Sequence, residues 1–211
     1  MAARYTNRNP IVHLQEEETP VRADARRNLG RIVEAAAEVL AERGVNAPME
    51  VIARRAGVGV GTLYRRFPDR QALLAAVGDH YVHSMAEALD RAADEAADAW
   101  SAIRAFVSWA ADPGRAALAT ALAALPDEAY TGRDGFARTR DGWLERFGGL
   151  VGRAQEDGAM RRDVGVEDLV HLLNVFTCHP DRLPAPVAAD PGRYLRLMLD
   201  GMRAEGTTVP L

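Results

Sequence analysis

Lysine is missing from this chain of 211 residues; all 26 of its basic residues are arginine. Walker-type phosphate loops and Schiff-base chemistry both require a lysine, so both are excluded. Cysteine occurs once, at Cys178. That rules out a disulfide within the chain and fits a reducing cytosol. Serine is scarce as well: Ser84, Ser101 and Ser108 are all there is, and none lies in a nucleophile-elbow sequence. The longest near-uniform apolar run, Ala116–Leu125, is interrupted by Thr120 and too short to span a bilayer. No charged leader followed by an apolar stretch marks a secretory signal. The expectation is a cytoplasmic protein with no membrane partner.

What is present is a globular composition, 48% apolar and 27% charged. The length suits one large domain or two small ones. The net charge of −4 is unevenly spread. Arg54–Arg70 holds five arginines (54, 55, 65, 66 and 70) against one acid, Asp69, while the chain from Gln71 onward is net acidic. A basic patch on an acidic chain suggests a polyanion contacted at one end.

Strand signals are few and helical periodicity is nearly continuous. Met1–Pro20 is polar, contains two prolines and reads as a mostly disordered arm. A first helix is predicted from about Ala23 to Arg43, with Leu29, Ile32, Val33, Ala36, Val39 and Leu40 on its apolar stripe and Gly44 as its C-terminal cap. Pro48 suits the first turn of a second helix that ends at Gly57. A third runs from about Val60 to Phe67 and stops at Pro68; Asp69 can cap a fourth. Further helices are predicted over 100–111, 116–125, 136–155, 166–178 and about 192–205, with a proline-rich loop before the last. The fold class is all-α, with about nine helices. It divides into an arm at 1–21, a small three-helix domain at 22–70 and a larger bundle at 71–211.

The stretch Met49–Arg70 carries the most functional information. Two short helices hinged at a glycine need a small residue at their crossing, and Ala53 fits; the turn needs a residue tolerating positive φ, and Gly57 fits. Val58, Val60, Leu63 and Phe67 supply apolar anchors. With Leu63 and Phe67 inward, Thr62, Arg65 and Arg66 share an outward face. That is a helix-turn-helix, with a recognition helix able to reach base edges and phosphates of double-stranded DNA. Gly59 and Gly61 leave the helix start bare for a phosphate. Arg65 is the best match to guanine O6 and N7, because its fork fits them. Thr62 and Tyr64 have hydroxyls suited to phosphate oxygens, and Arg70 opens the next helix where it can clamp the same strand.

The sequence ARRAGVGVGTLYRRFPDRQALL resembles the signature of tetracycline-repressor-type (TetR family) regulators. The parts are Ala41–Gly44, then Ile52 and Ala53 with Ala56–Val58, then Gly61–Tyr64 with Phe67, then Pro68 and Arg70. The strong resemblance covers about Arg26–Val77, and Ala154–Leu169 is similar to the stretch joining the last helices of such proteins. The resemblance implies a homodimer on a palindromic operator, more often a repressor, with a small molecule in the C-terminal bundle that releases it. It also implies Thr62, Tyr64 and Arg70 as phosphate contacts and Val60, Gly61 and Arg65 as groove-facing positions. Departures are Pro48 and Met49 where a Ser or Thr often starts the second helix, Gly59 where Ser is frequent, and Arg66 where His is common.

Large aromatics concentrate in the middle helices. Trp100, Phe106, Trp109, Leu122, Tyr130, Phe136, Trp143 and Phe147 read either as core or as the lining of an apolar cavity. With no charged group standing out among them, the expected effector is largely apolar. Two apolar stripes, Leu169, Leu172, Leu173 and Phe176 on one helix and Leu195, Met198, Leu199 and Met202 on the last, are expected at the dimer interface. His80, His83 and Glu87 share a helical face and could hold a metal, but that face points away from the apolar stripe and reads as solvated. His171, Cys178 and His179 read as a structural cysteine with neighbours. No metal, cofactor or catalytic constellation is expected. The reading is a DNA-binding regulator; its rival is a helical small-molecule-binding protein with a vestigial DNA-binding half.

Overall fold

The computed structural model describes residues 20–125 and 134–204, with side chains described from Arg27 to Leu125 and from Ala137 onward. Ten α-helices run in order among these residues: α1 Pro20–Arg43, α2 Met49–Arg55, α3 Val60–Arg66, α4 Arg70–Glu95, α5 Ala99–Ala110, α6 Pro113–Ala123, α7 Asp134–Glu156, α8 Val166–Cys178, α9 Ala185–Ala189 and α10 Pro191–Gly201. The only β pairing among them is an isolated bridge between Met160 and Arg203. The nine predicted helices all recur. The tenth, α9, and a 3-10 turn at Pro180–Arg182 fall in the stretch predicted as a proline-rich loop. Prolines there begin helical turns rather than preventing them, since a first-turn residue has no intrahelical use for its N–H. The arm predicted at 1–21 lies outside the described residues, except that Pro20 and Val21 already belong to α1. Tyr130 and the side chain of Phe136 also lie outside them.

Helix ends follow local chemistry. Gly44, Gly57 and Gly158 have φ of 76°, 68° and 71°, the left-handed region that lets a chain leave a helix sharply. Asp69 accepts from the amide of Ala72 at 2.7 Å and starts α4, and Asp98 accepts from Ser101 at 2.7 Å and starts α5. Phe67 closes α3 in an extended conformation ahead of Pro68.

Two apolar clusters form the core. The first gathers Ile32, Val39 and Leu40 of α1, Ile52 and Ala53 of α2, Leu63 of α3, Phe67, and Leu73, Leu74 and Val77 of α4. Leu118 and Leu122 of α6 belong to it as well. The second joins α4, α5, α7, α8 and α10 around Leu89, Ile103, Phe106, Trp143 and Phe147. α4 and α6 thus couple the N-terminal unit to the bundle. Thr120 on α6 donates to the carbonyl of Thr177 on α8 at 2.8 Å, tying the bundle side of that helix.

Candidate nucleic-acid interface and ligand cavity

α2 and α3 cross with Ala53, almost fully buried, at the crossing and Gly57 in the turn. α1 holds the turn from behind: the Arg31 guanidinium donates to the Ala56 carbonyl at 3.2 Å. Leu63 and Phe67 are buried and Val60 packs half-buried against the same core, so the outward face of α3 is left to Gly61, Tyr64, Arg65 and Arg66. Tyr64 is 43% exposed, and Gly61, Arg65 and Arg66 are exposed, while Val60 and Thr62 are half-buried. The Arg65 guanidinium donates to Thr62 Oγ1 at 3.0 Å. Thr62 is there an acceptor, which leaves its own O–H to donate to a further oxygen. Gly59 precedes α3 with no side-chain cap, and a methyl on Gly61 would meet nothing within 4 Å.

Two arginines of the basic stretch are committed within the fold. Arg55 donates to Glu38 at 2.9 Å and to both carboxylate oxygens of Glu42 at 2.9 and 2.7 Å, joining α2 to α1. This pairing holds the Glu42 carboxyl below its ordinary value and raises that of the Arg55 guanidinium. Arg70 donates to the Val45 carbonyl at 2.8 Å and so fixes the loop before α2. The local charge read from the sequence therefore overstates what faces outward: Arg55 is neutralised by two acids of α1, which lie far from it in sequence. Arg54, exposed on the last turn of α2, was counted in the basic stretch but given no individual DNA contact, because a helix-turn-helix pattern draws attention to the second helix.

The aromatic residues behave as core more than as lining. Phe106 and Phe147 are fully buried and meet edge to face at 5.2 Å, and Trp143 stacks on Phe147 at 5.6 Å. Trp109 stacks on Phe106 at 6.0 Å and carries the Arg115 guanidinium over its outer face at 4.5 Å. A cavity of about 300 Å³ opens beside this cluster, between α4, α6, α7 and α8. Of the residues expected to line a pocket, Leu122 and Trp143 do so; Trp100, Phe106, Trp109 and Phe147 do not. Gly78, Tyr81, Met85, Val170, Asn174 and Cys178 are lining residues that sequence reasoning missed. Gly78, Tyr81 and Met85 share one face of α4, and Val170, Asn174 and Cys178 share one face of α8, so each set reads locally as an ordinary helix face, and only the packing of the two helices opens a cavity between them. Burial pushes the Tyr81 hydroxyl and the Cys178 thiol up, so both stay protonated near neutral pH.

The stripes expected at a dimer interface turn inward instead. Leu169, Leu173, Phe176, Leu195, Leu199 and Met202 are buried in the protomer's own bundle, and Leu172 and Met198 are half-buried against it. An amphipathic helix satisfies its apolar face with the nearest core, and here that core is internal. Outward on the same two helices are Val175, 41% exposed, and Leu197, 56% exposed. His80, His83 and Glu87 lie on an exposed face of α4, where His83 Nδ1 hydrogen-bonds to the carbonyl of Asp79 at 2.8 Å and Glu87 pairs with Arg91.

Residues 32–77 match the family model described as bacterial regulatory proteins, tetR family. Residues 95–204, more than half of the chain, match that of the SbtR-like transcriptional regulator C-terminal domain. The chain belongs to the TetR family of transcriptional regulators. A TetR transcription regulatory protein from Mycobacterium vanbaalenii is 31% identical, with 87% of this chain and 99% of that one covered and a TM-score of 0.65. A TetR transcriptional regulator from Streptomyces coelicolor is also 31% identical, covering 82% and 97%, with a TM-score of 0.61. An HTH-type transcriptional regulator of Staphylococcus aureus is 46% identical over 54 residues, which is 25% of this chain and 29% of that protein. The curated relatives are therefore matched over less than a third of their length. In this TetR-family chain, no helix among the described residues is long and apolar enough to cross a membrane.

Proposed function

We propose that the protein is a cytoplasmic transcriptional regulator, a repressor, that binds a palindromic DNA operator as a homodimer and is released by a small apolar molecule. The observation that carries the DNA reading is α3 itself: Leu63 buried on one side, with Arg65, Arg66 and Tyr64 exposed on the other. Thr62, Tyr64 and Arg70 meet phosphates, Val60 and Gly61 approach the groove, and Arg65, aligned by Thr62, reads a base. A second copy places two such helices about 34–36 Å apart, one turn of DNA. The outward faces of α8 and α10, marked by Val175 and Leu197, serve as the isologous contact.

The ligand reading rests on Leu122. It lines the cavity and also packs in the core of the DNA-binding unit. A molecule that fills the cavity therefore displaces a side chain on which α1 and α4 rest, and a ligand that prefers one arrangement of α6 shifts the DNA-binding population accordingly. The test is a gel-shift series on the region upstream of the chain's own gene, repeated over a range of salt. Specific, salt-sensitive retention of a palindrome supports the proposal. Arg65→Ala is expected to relax preference at one base position, at a cost of about 1–3 kcal/mol. Absence of binding in any sequence selection favours a helical ligand-binding protein whose DNA-binding half is vestigial.

A further inference from the structure

A second opening lies between α5 and α10 and shares no lining residue with the cavity described above. It is a groove of about 510 Å³, within the size range of ligand sites. Val107, Leu195 and Leu199, all buried, form its apolar floor. The same three side chains border a further apolar gap of about 10 Å³, shared with Leu169 and Leu173 of α8. The floor is therefore packed less tightly than an ordinary core, and its side chains have room to part.

Three charged residues line the groove: Arg104 of α5, Arg196 of α10, and Asp112. Asp112 is committed elsewhere. Its carboxylate accepts from the amides of Gly114 at 3.1 Å and Arg115 at 3.3 Å, and it pairs with the Arg115 guanidinium. Arg104 and Arg196 make no hydrogen bond or ion pair among the described residues. Arg196 folds back over the first turn of its own helix, its Nη1 3.4 Å from where a Cβ on Gly192 would stand. Asp190 lies near the same point but caps α10, accepting from the Arg193 amide at 3.0 Å, and does not line the groove. Two uncommitted guanidinium groups from different helices thus border one apolar floor, in a chain whose net charge is −4.

We propose that this groove is a second ligand site, separate from the effector cavity, for a small anionic amphiphile with its carboxylate on Arg104 and Arg196 and its apolar tail on Val107, Leu195 and Leu199. A guanidinium presents its fork to both carboxylate oxygens and is weakly hydrated, which suits it to pairing beside an apolar surface. Both arginines are exposed, so the head contributes only a few-fold for each pair. The tail supplies most of the affinity, at about fourfold for each methylene removed from water. A cation with the same tail meets two positive charges and no free carboxylate. On α10 the groove takes residues 192, 195, 196 and 199, and Leu197 on the adjoining face marks the proposed subunit contact. The site therefore borders that contact, whereas the effector cavity borders the DNA-binding unit through Leu122.

The test uses the full chain at neutral pH and three probes below their micelle concentrations: decanoate, hexanoate and decyltrimethylammonium. Calorimetry reads affinity, and hydrogen exchange reads where the probe sits. Decanoate is expected to bind about tenfold or more tightly than either other probe and to slow exchange over 104–113 and 191–199. Replacing both arginines, Arg104→Gln with Arg196→Gln, is expected to weaken decanoate about tenfold and leave its advantage over hexanoate unchanged. Ala105 is exposed and lines the groove without belonging to the core, so Ala105→Trp is expected to abolish the protection while keeping the unliganded melting temperature. Cation binding as tight as decanoate, unchanged decanoate affinity in the double variant, or protection confined to α4 and α8 overturns the proposal. So does a parent dimer that Ala105→Trp converts to monomer with no decanoate bound by either, which assigns the groove to a second copy of the chain.

Discussion

Replacing Gly57 by alanine separates backbone conformation from side-chain contact in the helix-turn-helix. Gly57 sits at φ 68°, which costs an L-residue about 1–2 kcal/mol. A methyl there meets only Arg31 Nη2, at 3.7 Å, an ordinary contact with the end of a long side chain. The position is exposed, so the methyl gains no burial. The whole expected cost is therefore the backbone term, equivalent to a fall in melting temperature of roughly 2–8 °C for a chain of this size. Gly61 supplies the opposite sign. It lies in α3 at ordinary φ, a methyl would stand in open space, and alanine is expected to stabilise by about 0.5–1 kcal/mol. Denaturant titration of both variants measures the pair. Because the Gly57 strain acts on the angle between α2 and α3, its variant is also expected to lose DNA affinity beyond its loss of stability. A Gly57→Ala protein as stable as the parent would refute the reasoning, since the unfolded-chain entropy that alanine saves, about 0.4–1 kcal/mol, falls short of the strain at positive φ.

Arg70→Ala removes the hydrogen bond that fixes Val45 and is expected to cost about 1–2 kcal/mol of stability. If Arg70 also clamps phosphate, the same variant weakens all DNA sequences alike and flattens the salt dependence, and equilibrium unfolding beside a salt-dependent gel shift reads the two effects apart. Glu42→Gln tests the tie between α1 and α2 through pH. Arg55 depresses the Glu42 carboxyl, so the stabilisation is complete above its ordinary value of 4.5 and disappears as pH falls through the lower folded-state value. The difference between parent and variant in denaturant midpoint should be greatest near neutrality and vanish in strong acid; a gap that widens in acid contradicts the pairing. Leu197→Arg, on the exposed face of α10, is expected to convert the proposed dimer to monomer in sedimentation at micromolar concentration without lowering the monomer's stability; a dimer that persists removes α10 from the contact, and a parent chain that sediments only as monomer refutes the dimer itself.

The N-terminal unit was legible because its determinants are local. Gly44, Pro48, Gly57, Pro68 and Asp69 each act within a turn or two of themselves, and every one appears in the structure near the boundary it marked. The same locality explains the error of charge. A window from Arg54 to Arg70 counts Arg55 as available, but Glu38 and Glu42 stand on the preceding helix, outside that window, and reach it only through the packing of α1 on α2. Arg70 is similar, since its acceptor at Val45 becomes a neighbour only when the loop before α2 folds back.

In the bundle, periodicity identified which residues are buried but not what buries them. Leu169 and Leu173 recur at helical spacing whether the covering surface is a second copy or the chain's own α5 and α10, and the spacing is identical in both cases. The cavity was harder still. Trp143 and Leu122 were visible as large apolar residues, yet their meeting with Gly78, Asn174 and Cys178 depends on four helices crossing at one height. A pattern within one helix can specify a face; the space left between faces is a property of their crossing. That is why the expected lining was drawn from the bulkiest aromatics, Phe106 and Phe147, which are the residues that fill space most completely and so leave none.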